Sequence, residues 1–147
     1  MAEVERRIAR RKLYKIYAHP YDHGRPFGPD NIGPYEWQVD FHNAGAEHPE
    51  RLLMAANRVG KTQCAAAEMA CHLTGQYPSW WKGRRFKKGV KAWAAGESWE
   101  ATRDVIQGAL LGPEQAQGTG WIPAHRIRDV RRRQAGVSEV AEMIMVE

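Results

Sequence analysis

One short stretch constrains this chain more than any other: Ala55-Ala56-Asn57-Arg58-Val59-Gly60-Lys61-Thr62. The apolar Leu52, Leu53 and Met54 precede it, and an alanine-rich run from Ala65 to Ala70 follows. Its spacing fits G-x-x-x-x-G-K-[ST] in all but the first position, where Ala55 stands. The chemistry of phosphate explains that spacing. Backbone N–H groups of such a loop curl round the β-phosphate as an anion nest. A glycine at position 60 lets the backbone approach without a Cβ in the way. Lys61 brings a point charge to the β- and γ-phosphates, and the Thr62 hydroxyl is suited to Mg²⁺. The helix that follows adds the positive end of its dipole. Ala56, Asn57, Arg58, Val59, Gly60, Lys61 and Thr62 are therefore the candidate nucleotide-binding residues. Thr62 is also the candidate metal ligand, through Mg²⁺ carried by the nucleotide, and the implied cofactors are ATP and Mg²⁺. Ala55 is compatible with the end of a strand as long as its φ stays negative.

The motif needs a strand before the turn and a helix after it, and the local patterns predict both. Residues 51–56 read as a short buried strand, 57–60 as a turn, and 62–73 as a helix ended by Gly75. Upstream, Pro34 reads as the first residue of a short helix reaching His42. Downstream, 90–95 reads as a second buried strand, and Ser98 as the N-cap of a helix to Leu111. Residues 112–123 read as loop, 125–134 as helix and 140–146 as a third strand. Alternating strands and helices predict an α/β domain: a partial P-loop NTPase fold with a parallel sheet flanked by helices. Residues 4–18 read as a basic amphipathic helix, followed by a Pro/Gly-rich loop. The predicted organisation is an N-terminal arm over 1–34 and a truncated P-loop ATPase domain over 35–147.

Composition narrows the class. A chain of 147 residues has room for one domain with one core. Its apolar runs are too short to cross a bilayer, and no secretory signal opens it, so the expectation is a soluble cytoplasmic protein. Cys64 and Cys71 lie on the predicted helix about 10 Å apart, too far for a disulfide. The net charge of +5 is clustered: Arg6 to Lys15, then Lys82 to Lys91, then Arg126 to Arg133. Such clusters attract polyanions by releasing counterions, and beside a nucleotide site they point to nucleic acid.

A second candidate lies upstream in Pro34-Tyr35-Glu36-Trp37-Gln38-Val39-Asp40-Phe41-His42. It resembles the adenine-recognising glutamine segment of translocases and helicases. The Gln38 amide donates and accepts at once, which suits the N6 and N7 edge of adenine.

With these residues in hand, the chain resembles the large subunit of tailed-phage terminases, the ATPase-nuclease that packages viral DNA. The resemblance runs through Trp37-Gln38, Phe41-His42, Glu50-Arg51-Leu52 and the loop itself. It continues in Thr74-Gly75 with Tyr77-Pro78 and Trp80-Trp81, Gly83-Arg84-Arg85-Phe86, Ala92-Trp93-Ala94, and Gly118-Thr119-Gly120 with Ile122-Pro123. Together these cover roughly residues 35–147. The resemblance implies ATP hydrolysis coupled to translocation and cleavage of double-stranded DNA in the host cytoplasm. It also implies a homo-oligomeric motor with a small subunit and a portal as partners, and no membrane. Two departures stand out. Many terminases carry arginine where Asn57 stands, with Arg58 next to it here. The Walker B acids, coupling motif and nuclease carboxylates of the family have no counterpart, so no catalytic set is complete. Met143-Ile144-Met145-Val146-Glu147 reads as the strand before Walker B rather than as Walker B itself. A helicase-like P-loop ATPase and a non-catalytic nucleotide- or DNA-binding module are the alternative readings.

Other groupings carry less. His19 and His23 have ligand spacing but lack a third ligand. Trp80 and Trp81 beside Arg84 and Arg85 fit core packing better than stacking on bases. No Ser/His/Asp or Cys/His arrangement points to covalent catalysis.

Overall fold

The computed structural model describes residues 16–28, 31–134 and 136–147. The basic helix expected over 4–18 lies almost wholly outside the described residues, as does the first basic cluster. Helix α1 spans Glu36–Ala44. Its N-cap is Tyr35, extended at φ −67° and ψ 159°, so Pro34 sits just outside the helix and not at its first position. Its buried residues are Gln38 and His42, four apart and so on one face, while Trp37 and Phe41 are only half-buried. A helix that buries its polar residues is held by specific hydrogen bonds more than by area.

Helix α2 spans Lys61–Thr74 and ends at Gly75, whose left-handed φ of 68° fits the predicted cap. It buries Cys64, Ala66, Ala67, Ala70 and Cys71. The third helix, α3, is a composite: an α turn at Trp99–Ala101, a π-helical stretch at Thr102–Gln107 and an α turn at Gly108–Leu111. Ser98 caps it as expected, its hydroxyl accepting from the Ala101 N–H at 3.1 Å.

The core forms where α2 meets the end of α3 and the segment after it. Leu110, Leu111, Trp121 and Ile122 pack with Trp81, Tyr17 and the small residues of α2. A helix end leaves its last carbonyls without partners. Here the following loop supplies them: Gly118, Trp121 and Ile122 donate N–H groups to Leu111, Ala109 and Leu110 at 2.6, 3.0 and 2.8 Å. That return brings the backbones so close that a Cβ on Gly120 would lie 2.3 Å from the Leu110 carbonyl oxygen. Glycine is required there by space.

The sheet differs from the expected one. Among the described residues it has two strands, β1 (Ile127–Arg132) and β2 (Ala141–Val146), paired antiparallel with Ile127 opposite Val146 and Val130 opposite Ile144. The parallel sheet flanked by helices is therefore not formed, and with it the expected P-loop NTPase architecture. The expected strands at 51–56 and 90–95 are irregular. Leu52, Met54 and Trp93 are 82%, 80% and 95% exposed. An apolar run becomes a strand only where a neighbour takes up its N–H and C=O groups, and these two segments have no such neighbour among the described residues. The helix expected over 125–134 is instead a 3₁₀ turn at Ala124–Arg126 leading into β1. The arginines favour helix, but pairing with β2 overrides that preference. Gln107 of α3 fixes the hairpin, donating to the Glu139 carbonyl at 2.9 Å and accepting from the Ala141 N–H at 2.7 Å. No described helix is long and apolar enough to cross a membrane.

Candidate functional site

Residues 57–60 form the expected turn and lead into α2, but the strand expected before them is absent among the described residues. Gly60 is the N-cap of α2 at φ 93°, a conformation that costs a residue with a Cβ about 1–2 kcal/mol. Arg58 also has positive φ, 62°, so the turn holds an arginine in a sparsely populated region. Helix α2 begins at Lys61, with Thr62 exposed on its first turn. Ala56, Asn57 and Val59 are exposed along the turn. The Lys61 ammonium donates to the carbonyls of Ala55 and Ala56, both at 2.6 Å. Lysine, turn and helix N-terminus thus converge.

Gln38 reaches this turn from α1. Its Nε2 donates to the Gly60 carbonyl at 3.3 Å, and its Oε1 accepts from the Tyr35 N–H at 2.9 Å. A Cβ at position 60 would sit 3.2 Å from that Nε2. Gln38 is 6% exposed; each end of its amide has a protein partner, with one hydrogen and one lone pair still uncommitted. Gln38 and Arg58–Gly60 line one cleft of about 850 Å³, within the usual range for small-molecule sites. Tyr21 and Tyr35 also line it, with ring centroids 5.3 Å apart. Gln63 and Trp121 contribute too, the Trp121 indole donating to Gln63 Oε1 at 2.7 Å. The structure therefore unites Gln38 with Arg58, Val59 and Gly60 in one cavity. Ala56, Asn57, Lys61 and Thr62 adjoin it without lining it.

A buried ionic cluster lies behind the turn, and sequence reasoning missed it. Glu68 of α2 is 8% exposed. The Arg51 guanidinium pairs with its carboxylate through Nη2, and through Nη1 at 3.2 Å. His42 Nδ1 is 2.7 Å from the same carboxylate, and His72 Nε2 is 3.4 Å away. Burial alone would raise the Glu68 pKa. The hydrogen bonds from His42, His72 and Arg51 outweigh it and hold the carboxyl well below the usual carboxylate range. Arg51 also donates to the Phe41 carbonyl and lies over the Phe41 ring, 4.5 Å from its centroid. A signal was present: Cys64, Glu68 and Cys71 recur at helical spacing on a face of small apolar residues, and a charge there must be paired.

Cys64, His42 and Glu68 do line up, with Cys64 Sγ 3.5 Å from His42 Nε2. The arrangement is not a nucleophile. Cys64 has no exposed surface, and burial pushes its thiol up to about 12. The Tyr17 hydroxyl approaches the same His42 nitrogen at 3.1 Å. Cys71 is buried likewise, and both cysteines are free thiols. Among the described residues, no three or more His, Cys, Asp or Glu side chains come together as a metal-holding group. Trp81 is buried, stacked on His42 at 4.8 Å, and Trp80 donates its indole N–H to the Tyr17 carbonyl at 2.8 Å. Both tryptophans serve packing. Residues 82 and 84–88 are exposed, as is Lys91. By contrast Arg128, Arg131 and Arg132 pair with Glu147, Asp129 and Glu139. Glu147 is thus held at the hairpin by Arg128.

No protein-family model matches the chain, and no solved structure matches it. In sequence, however, it is similar to a phage terminase large subunit. It is 38% identical over 111 residues, or 65% of this chain, to the terminase large subunit of Salmonella phage P22. The chain spans 22% of that relative's length.

Proposed function

We propose that the cleft between α1 and the turn at 57–60 binds ATP with Mg²⁺, as the nucleotide-binding part of a DNA-packaging terminase. The observation that carries this reading is the meeting of Gln38 with Gly60, 22 residues apart in sequence, in a single cleft beside a helix N-terminus. A phosphate group entering there takes the Lys61 ammonium from the Ala55 and Ala56 carbonyls. The dipole of α2 favours the anion, and Thr62 on the first turn of α2 offers its hydroxyl to Mg²⁺. The uncommitted amide hydrogen and lone pair of Gln38 suit adenine, with Tyr21 and Tyr35 as apolar neighbours.

In the whole protein, such a site would couple ATP hydrolysis to translocation and cleavage of double-stranded DNA in the host cytoplasm. The motor would be a homo-oligomer working with a small subunit and a portal. Among the basic clusters, the exposed run from Lys82 to Lys91 is the one this reading gives to DNA. Its cations have no carboxylate within ion-pair distance among the described residues, whereas the hairpin arginines are largely neutralised. A reading of the 147-residue chain as a binding module without turnover is favoured by Glu147, whose carboxylate is engaged by Arg128.

Titration with a fluorescent ATP analogue and Mg²⁺ tests the site. A charge-assisted hydrogen bond contributes about 1.5–3 kcal/mol, so Lys61→Ala should weaken binding about 10- to 100-fold with little change in melting temperature. Equal affinity in both proteins would refute the assignment. On the same reading, ATPase activity of residues 1–147 should not exceed that of Lys61→Ala, with or without DNA.

A further inference from the structure

We infer that Arg51, through Glu68 and the Phe41 carbonyl, is a positioning residue that sets where the phosphate turn sits; this rests on the nucleotide reading of that turn. The residues leading into the turn have no sheet to hold them: Leu52 and Met54 to Arg58 are exposed, and no strand pairs with them among the described residues. In a loop entered from a strand, the ladder would fix the first residues. Here a different device takes that place. At the upstream end Arg51 binds the Phe41 carbonyl on α1 and both carboxylate oxygens of Glu68 on α2. At the downstream end Gly60 is bound by Gln38 of α1. Residues 51–60 are therefore tied at both ends to α1, and Arg51 ties α1 to α2 as well.

Glu68 suits this role because its carboxylate is fixed from other sides. His42 and His72 hold it, and His42 is itself held by the Tyr17 hydroxyl and the face of Trp81. A planar guanidinium spans the two oxygens and the carbonyl together; an ammonium cannot, because it is a compact point charge. Arginine chemistry, and not merely a positive charge, is required at position 51.

Two readouts on the 147-residue chain test this. Arg51→Lys should raise the Kd for the ATP analogue with Mg²⁺ about tenfold at unchanged stoichiometry. A role confined to overall stability would instead lower the fraction of binding-competent molecules and leave Kd alone. Backbone amide chemical shifts recorded without nucleotide should move at residues 55–61 in Arg51→Lys, while those of 66–71 stay in place. The double variant Arg51→Lys/Glu68→Gln should shift residues 55–61 no further than the more strongly shifted single variant. Wild-type shifts at 55–61 in folded Arg51→Lys, or additive effects in the double variant, would overturn the inference. If the unmodified chain binds no ATP, the nucleotide reading fails while the chemical shifts still decide whether Arg51 positions the turn.

Discussion

Gln38 faces the Gly60 carbonyl as a donor across 3.3 Å, so a side chain of α1 holds the residue at which the turn becomes α2. The same amide accepts from the Tyr35 N–H, so its two ends can be separated by substitution. Gln38→Glu keeps the acceptor for Tyr35 but sets a carboxylate oxygen against the Gly60 carbonyl. Leaving a buried group unpaired costs about 1–3 kcal/mol. Urea denaturation should show Gln38→Glu destabilised by about that amount, with α1 still formed by circular dichroism. Unchanged stability would mean that the contact to Gly60 contributes nothing.

Acid should loosen the molecule through Glu68. Its folded-state pKa lies below the ordinary 4.5, so the folded chain binds this proton less readily than the unfolded chain does. The stabilisation is present above pH 4.5 and is lost as pH falls toward the folded value. Between pH 5 and 2, the melting temperature of the wild type should fall more steeply than that of Glu68→Gln. Parallel curves for the two proteins would remove Glu68 as a source of the acid sensitivity.

The thiols give a simple probe of the core. Cys64 and Cys71 have no exposed surface, and burial pushes both up to about 12. The thiolate is the reactive form, so a thiol reagent at pH 8 should label neither residue in the folded protein and both in denaturant. Rapid labelling of one thiol without denaturant would contradict the packing of α2 described above.

The hairpin depends on one side chain from another element. Gln107, 9% exposed, pairs with backbone groups of Glu139 and Ala141. Gln107→Leu has similar bulk but leaves that N–H and C=O without partners. The expected loss is about 2–3 kcal/mol in chemical denaturation, with faster hydrogen exchange confined to residues 127–146. A loss spread evenly over α2 and α3 would mean that the hairpin and helices are not separable in this way.

What could be read from the sequence follows from the range of the interactions. Helix α2 with its turn and its glycine cap was legible because its determinants, Gly60, Lys61, the alanines and Gly75, are neighbours in the chain. The N-cap Ser98 was legible for the same reason. The spans 51–56, 90–95 and 125–134 were misjudged because a strand is defined by its partner, and composition does not name the partner. Arg131 and Arg132 favour helix locally and lie in β1 because residues 141–146 pair with them. At the site, the adjacent loop residues were proposed from spacing, and Gln38 from the resemblance of its segment to adenine-recognising glutamine segments. Arg51 and His42 were missed as members of a cluster, since their common partner Glu68 lies 17 and 26 residues further along.

The tight crossings also bear on how related sequences can be recognised. A Cβ at position 120 would meet the Leu110 carbonyl oxygen at 2.3 Å, and one at position 83 would meet the His42 carbonyl oxygen at 2.1 Å. Real Cβ atoms do not approach backbone that closely, so neither position tolerates even alanine without moving a helix end. Any chain adopting this arrangement must keep glycine at both sites, whatever becomes of its turn at residues 57–60. Two glycines outside residues 55–62 thus act as a fingerprint of the packing. They would distinguish a sequence that shares this architecture from one that shares only Gly-Lys-Thr.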